Sequence, residues 1–318
     1  MHRAKHFLPY LLLAMSALAG AQTYPDKPIR VLVPFAAGSG TDILARIVTE
    51  EMRASMGANF VIDNRAGASG QIAAELVAKA NPDGYTLLLS TNTPHSANPF
   101  LFKKLSYDPV KDFAAVSRMI YYVFILVVNP NSGIKTVPEL IANIKANPGK
   151  NSYAFGNSTG QVNGAYFVSA AKLDSLPVPY KSTPPAMTDL IAGQVQWMFV
   201  DAASSQGHIK SGRLRAIAVM SDKRSDIFPD LPAVGETVPG FDTVPWAGMF
   251  APAGTPKAVI NRLNAEIVKA INKPAVNQRL ADAGLAPGPS TPAELDLFVK
   301  QQLAAWGKKI KDAGIQPE

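Results

Sequence analysis

The sequence predicts an α/β fold with two parallel-sheet domains around a ligand cleft, on three observations. Near the start, short apolar runs at 29–33, 60–62 and 85–89 alternate with two segments of helical apolar spacing. Strand–helix–strand order at this spacing implies parallel pairing with helices on both faces. In the middle the alternation returns, with strand-like runs at 152–155, 178–180, 195–200 and 214–220. Between the two lies a long β-prone run, 113–128, able to cross from one domain to the other. The proline-rich stretch 228–240 would carry the chain back. The expected domains are therefore 22–123 plus 245–318, and 124–244.

The organising stretch is 29–56. A strand runs into the turn Pro34-Phe35-Ala36-Ala37-Gly38-Ser39-Gly40-Thr41-Asp42, and a helix follows with Ile43, Leu44, Ile47, Val48, Met52 and Met56 on one stripe. Gly57 is placed to end it. A helix N-terminus carries unpaired N–H groups and the positive end of a dipole, so such a turn can hold an anion. A second glycine-bearing loop spans 63–70, before a helix at 71–80. A third, Ser90-Thr91-Asn92-Thr93-Pro94-His95, follows the third strand at its carboxyl end, where open parallel sheets bind ligands. These three loops are expected to converge. Thr136-Val137-Pro138-Glu139 is a capping-box helix start. Gly156-Asn157-Ser158-Thr159-Gly160-Gln161 repeats the chemistry of the opening turn between a strand and a helix. Helices are expected at 185–192, 204–211, 259–271, 275–283 and 292–312, with a strand at 246–250. The terminal helices should cover the first domain.

The first 21 residues read as a signal peptide. His2, Arg3, Lys5 and His6 make a basic start, 7–18 is a short apolar run, and Ala19-Gly20-Ala21 fits the small-x-small rule for cleavage before Gln22. The run is short for a membrane span. There is no cysteine, hence no lipid-attachment thiol and no disulfide. That suits an oxidising compartment, and a bacterial periplasm is expected. The net charge of +7 is spread without a dense Lys/Arg cluster, which argues against nucleic acid and mildly favours a small anion. With no Cys/His cluster and no His-x-x-x-His, neither a metal nor a cofactor is expected.

Each motif admits a second reading. The turn at Gly38 lacks the Lys-Ser/Thr ending of a phosphate loop and the spacing of a dinucleotide fingerprint, and Asp42 would repel phosphate. Asp42 is either a cap or a contact to an ammonium or hydroxyl; Ser39 and Thr41 suit contact with a ligand or water. Gly156-x-Ser158-x-Gly160 matches a nucleophile elbow, so a secreted serine hydrolase acting at Ser158 is the alternative from another class. Past the leader only His95 and His208 remain as bases, and neither stands where the hydrolase order puts one; both read as surface or packing groups. Phe35, Trp197 and Trp246 are aromatic candidates for the cleft, Phe35 foremost, with Trp197 more suited to the core. Arg65 is either a carboxylate clamp or a tie for its own loop. Asp201, at the carboxyl end of a strand, suits a polar contact.

The pattern Tyr24-Pro25-x-Lys27-Pro28-Ile29-Arg30 leading to Pro34-Phe35-x-Ala37-Gly38-x-x-x-Asp42 resembles the tripartite tricarboxylate transporter substrate-binding proteins, the Bug receptors. Further matches follow in order: Asn64-Arg65-x-Gly67-Ala68-x-Gly70, Pro82-Asp83-Gly84-Tyr85-Thr86-Leu87, Val178-Pro179-Tyr180-Lys181, Asp189-Leu190-Ile191-x-Gly193-Gln194-Val195, Gly212-Arg213-Leu214-Arg215-Ala216-Ile217-Ala218-Val219 and Ala251-Pro252-Ala253-Gly254-Thr255-Pro256. The resemblance implies a periplasmic binding protein of type II-like fold. It would close on a di- or tricarboxylate or an aromatic acid, without chemistry, and dock on integral-membrane permease subunits; a receptor feeding a sensor kinase is the other alternative. It also implies that the loop Phe35 to Asp42 meets the loop Asn157 to Gln161 across the cleft. The sequence departs from the family pattern at Ser39, Gln161, Ala165, Ser182, Gln196 and Val200, and Asp201 stands beside the last. The expected ligand-binding set is Phe35, Ala37, Gly38, Ser39, Thr41, Asp42, Thr91, Asn92, Asn157, Ser158, Thr159, Gln161 and Asp201, in a monomer.

Overall fold

A computed structural model describes residues 24–318; the predicted signal peptide lies outside the described residues. Strand β1 (Ile29–Val33) is buried at Ile29, Val31, Leu32 and Val33. It leads to helix α1 (Gly40–Met56), capped by the Ser39 hydroxyl, which accepts from the Asp42 N–H, and closed by Gly57 at φ 63°. β2 (Phe60–Asn64), α2 (Gln71–Ala78) and β3 (Thr86–Thr91) complete the opening unit, and β1 pairs in parallel with both β2 and β3. A π-helical turn, Thr93–Ala97, follows β3 and runs into α3 (Asn98–Leu101).

The long β-prone run is two strands. β4 (Phe113–Tyr122) lies in the first sheet and β5 (Phe124–Val128) in the second, so the chain crosses at Val123. The second half holds α4 (Val137–Ala146), β6 (Ser152–Phe155), α5 (Ser158–Ala170), β7 (Leu176–Pro179), α6 (Thr183–Ile191), β8 (Trp197–Asp201), α7 (Ala202–Lys210) and β9 (Arg215–Val219). The chain then returns as β10 (Trp246–Pro252) and ends with α8 (Lys257–Asn272), α9 (Pro274–Asp282), β11 (Leu285–Pro287) and α10 (Pro292–Asp312). α8 and α10 lie on β4, and α8 and α9 on α1, so the terminal helices cover the first sheet.

Both sheets are mixed rather than wholly parallel. Their orders are β11-β4-β10-β3-β1-β2 and β7-β6-β8-β5-β9. β6 pairs in parallel with β7 and β8, but β5 is antiparallel to β8 and β9, and β10 to β3 and β4. The crossings explain this. Phe124, the first residue of β5, pairs with Asp201, the last of β8; Ala247, near the start of β10, pairs with Thr91, the last of β3. Strands that enter a sheet at the cleft must run against those that end there. The three-residue β11, paired with β4, has no sequence signal beyond a glycine and a proline.

Three tryptophans are fully buried. Trp197 stacks on Tyr153 in the second half. Trp246 packs edge-on to Phe298 in the first. Trp306 on α10 joins Ala97, Leu101 and Val162, which brings α5 of the second half against α10 and α3 of the first.

Candidate functional site

The carboxyl ends of β1, β3, β6, β7 and β8 face a common cavity. It is lined by Phe35, Ser39, Gly40 and Thr41 after β1, and Thr91, Asn92 and Thr93 at the end of β3. Tyr122 and Phe124 flank the crossing. Asn157 and Thr159 follow β6, Thr183 follows β7, and Asp201 ends β8. Its free volume is about 20 Å³, on the order of one water. A larger guest therefore requires the walls to part.

Four helices, α1, α5, α6 and α7, begin at this cavity. In α1 the first intrahelical bond is Ile43 N–H to Ser39 O, so the Gly40 and Thr41 N–H groups precede the ladder. In α5 the Asn157 side chain accepts from the Gly160 N–H at 3.0 Å and donates to the Thr183 hydroxyl, at the start of α6, at 3.3 Å. α7 is capped by Asp201, whose Oδ1 accepts from the Ser204 N–H at 2.8 Å. Four dipoles with their positive ends on one small volume favour negative charge there, and no Lys, Arg or His is among the lining residues.

The halves touch through hydroxyl and amide groups. Asn92 Nδ2 donates to Thr159 Oγ1 at 3.0 Å and reaches Ser158 Oγ at 3.5 Å. Thr93 Oγ1 and Ser158 Oγ are 2.8 Å apart, and the Ala36 N–H donates to Ser182 Oγ at 3.1 Å. A Cβ at Gly40 would stand 2.3 Å from Asp201 Oδ1, so only glycine lets the walls approach this closely. On the first wall, Thr41 Oγ1 and Tyr122 OH are 2.8 Å apart. Burial raises the Asp201 pKa, and the Ser204 N–H and hydroxyl only partly offset it.

The family model described as tripartite tricarboxylate transporter family receptor matches residues 44–315. The chain belongs to that family. Among solved structures, periplasmic binding protein BugD is 34% identical with a TM-score of 0.88, covering 93% of this chain and all of its own. Rpa4515 of R. palustris, solved with adipate, is 32% identical with a TM-score of 0.90, covering 93% of this chain and 100% of that one. MatC from Rhodopseudomonas palustris, solved with bound malate, is 30% identical with a TM-score of 0.85, covering 90% and 100%. The fold is thus that of a two-domain binding protein, and the family is one of transport receptors rather than enzymes.

Of the expected residues, Phe35, Ser39, Thr41, Thr91, Asn92, Asn157, Thr159 and Asp201 stand at the cavity. The other expected residues lie elsewhere. Ala37 and Gly38 are exposed on the outside of their turn. Asp42 faces its own loop: burial pushes its pKa up, but the Arg46 guanidinium, the Gly38 N–H and the Asn64 amide outweigh that and hold it below the usual carboxylate range. Ser158 is buried against Thr93, and Gln161, half-buried one turn along α5, is absent from the lining. The loop at Gly67 does meet the other two, since a Cβ at Gly70 would stand 2.9 Å from Pro34 and 3.1 Å from Pro94, but it adds no residue to the cavity lining. It braces them from behind, where Asn64 donates to Phe35 O at 2.9 Å and Arg65 pairs with Asp63 at 2.8 Å. Arg65 is therefore a loop tie. Trp246 packs beneath the floor, near His95 and Phe250, instead of lining the cleft.

Gly40, Thr93, Tyr122, Phe124 and Thr183 line the cavity without having been singled out. Position at a strand end signals Thr93 and Thr183. Tyr122 and Phe124 flank the crossing, whose exact place the uniform run 113–128 hides.

The hydrolase alternative fails on geometry. Ser158 Oγ meets Thr93 and Asn92, not a histidine. His95 is fully buried; its Nδ1 lies 2.7 Å from Ser90 Oγ, its ring stacks on Phe250, and burial lowers its pKa to about 3. It is a packing group. His208 is half-buried near the end of α7, away from the lining.

Proposed function

We propose that this receptor binds a small organic carboxylate in the periplasm and delivers it, by closing its two halves, to an integral-membrane permease. The observation that carries the reading is the meeting of four helix N-termini at one cavity without a basic side chain. A carboxylate there would accept from backbone N–H groups and from the hydroxyls of Ser39, Thr41, Thr159 and Thr183. Adipate and malate in the two R. palustris relatives support an acid of this class. The side-chain bonds between the halves would form as the cleft closes, and the closed form is what a permease would recognise.

The test is a thermal-shift panel on the mature protein across mono-, di- and tricarboxylates and aromatic acids. A ligand at a hundred times its Kd stabilises the folded form by about 2.7 kcal/mol, which moves the melting temperature by several degrees. A panel with no shift refutes the reading.

A further inference from the structure

Asp201 is the one carboxyl among the residues lining the cavity. It is 4% exposed. Its place is fixed by its duty as the cap of α7, through Oδ1 and the Ser204 N–H. The same oxygen faces Gly40 of the opposite wall, closely enough to leave no room for a Cβ there. Only Ser204 and the local backbone relieve its burial, and no basic side chain among the described residues contributes. An acceptor is thus built into a cavity that four helix ends make receptive to anions. The cap leaves the carboxyl's remaining lone pairs to whatever enters. A second anionic oxygen placed there would be desolvated against like charge, and a methylene would leave a buried acceptor unpaired.

We propose that Asp201 makes the receptor select carboxylates that carry a hydrogen-bond donor beside the acid group, a hydroxyl or an ammonium, over the same carbon skeletons without one. This rests on the carboxylate-receptor reading. The helix ends hold the ligand carboxylate, and Asp201 accepts from the neighbouring donor. A site built to pair a ligand O–H or N–H rejects the analogue lacking it far more strongly than an apolar pocket distinguishes one methylene. The selection works in both directions, because the carboxyl that attracts the donor repels an acid lacking it.

Calorimetric titration with matched probes tests this: malate and aspartate against succinate, lactate and alanine against propionate, and hydroxy- or amino-substituted acids against their parents up to C8. In the wild type the donor-bearing member of the binding pair is expected to be at least tenfold tighter, the range of a charge-assisted hydrogen bond (roughly 1.5–3 kcal/mol). Asp201→Asn should cut that preference below about threefold, with the parent acid gaining affinity. Asp201→Ser keeps a strong helix cap and should lose the preference as well, which guards against a folding defect in either variant; melting curves check both. Equal affinity within every wild-type pair overturns the proposal, as does a preference unchanged in both variants. Absence of binding by any carboxylate is a different result: it removes the receptor reading and this proposal with it.

Discussion

The two turns that open α1 and α5 share a plan and divide the labour. Each follows a strand, each is capped by a polar side chain, and each offers hydroxyls at a helix start. The first keeps its charge to itself: Asp42 is bound by Arg46 and by its own loop at Gly38. Its backbone comes close to the far wall at Gly40. The second spends its hydroxyls across the cleft, with Ser158 and Thr159 against Asn92 and Thr93. The first turn is therefore a rigid backbone surface, and the second is both surface and latch. Similar strand–turn–helix chemistry in sequence does not imply similar duty.

The two glycines of the first turn sharpen that comparison most. Gly40→Ala would press a methyl on the capped Asp201 carboxyl and hold the walls apart. Overpacking of this kind costs roughly 1–3 kcal/mol, so carboxylate affinity should fall about 10- to 100-fold with the melting temperature of the ligand-free protein little changed. Gly38→Ala meets open space but sits at φ 80°. It should lower stability by about 1–2 kcal/mol and leave affinity within about threefold. Calorimetry and denaturant melts separate the two; equal effects on affinity would erase the distinction between the wall and its outer turn.

The latch is tested at Asn92. Asn92→Ala removes the bonds to Ser158 and Thr159. At about 1 kcal/mol per net bond, the loss of both should lower affinity about 30-fold, mostly through faster ligand release measured by stopped flow. An unchanged release rate would mean that these bonds do not hold the cleft closed.

The smallest effects concern the two acids, which titrate in opposite senses. Asp42 has a lowered folded pKa; its contribution is present above the unfolded value near 3.9 and is lost as pH falls through the folded one. Asp201 has a raised folded pKa; its contribution is greatest below the unfolded value and is lost as pH rises through the folded one. Melting curves across this acid range should therefore show Asp42→Asn losing ground to wild type as pH rises, and Asp201→Asn gaining it. Parallel curves would contradict the assignment of distinct roles.

Much of this was legible in the sequence because it is local. Apolar spacing marks α1, the Thr136 cap marks α4 (although Glu139 reaches back to the Lys135 N–H rather than closing a capping box), and strand-end position marks Asn92, Asn157 and Asp201. What escaped depends on partners distant along the chain. Asp42 looks like a cleft acid until Arg46 and Asn64 are seen to hold it. Trp246 belongs beneath the floor because β10 enters between β3 and β4, and that antiparallel entry follows from crossings whose positions no residue marks. Ser158 resembles a nucleophile until Thr93 and Asn92 occupy its hydroxyl.

The central claim is that helix N-termini from the two halves hold a carboxylate between them. Titration calorimetry of the best-binding acid against its neutral carboxamide tests it most directly, since the two share shape and differ in charge. The carboxylate should bind at least about 100-fold more tightly, a difference of about 2.7 kcal/mol, and equal affinity for the amide would contradict the claim.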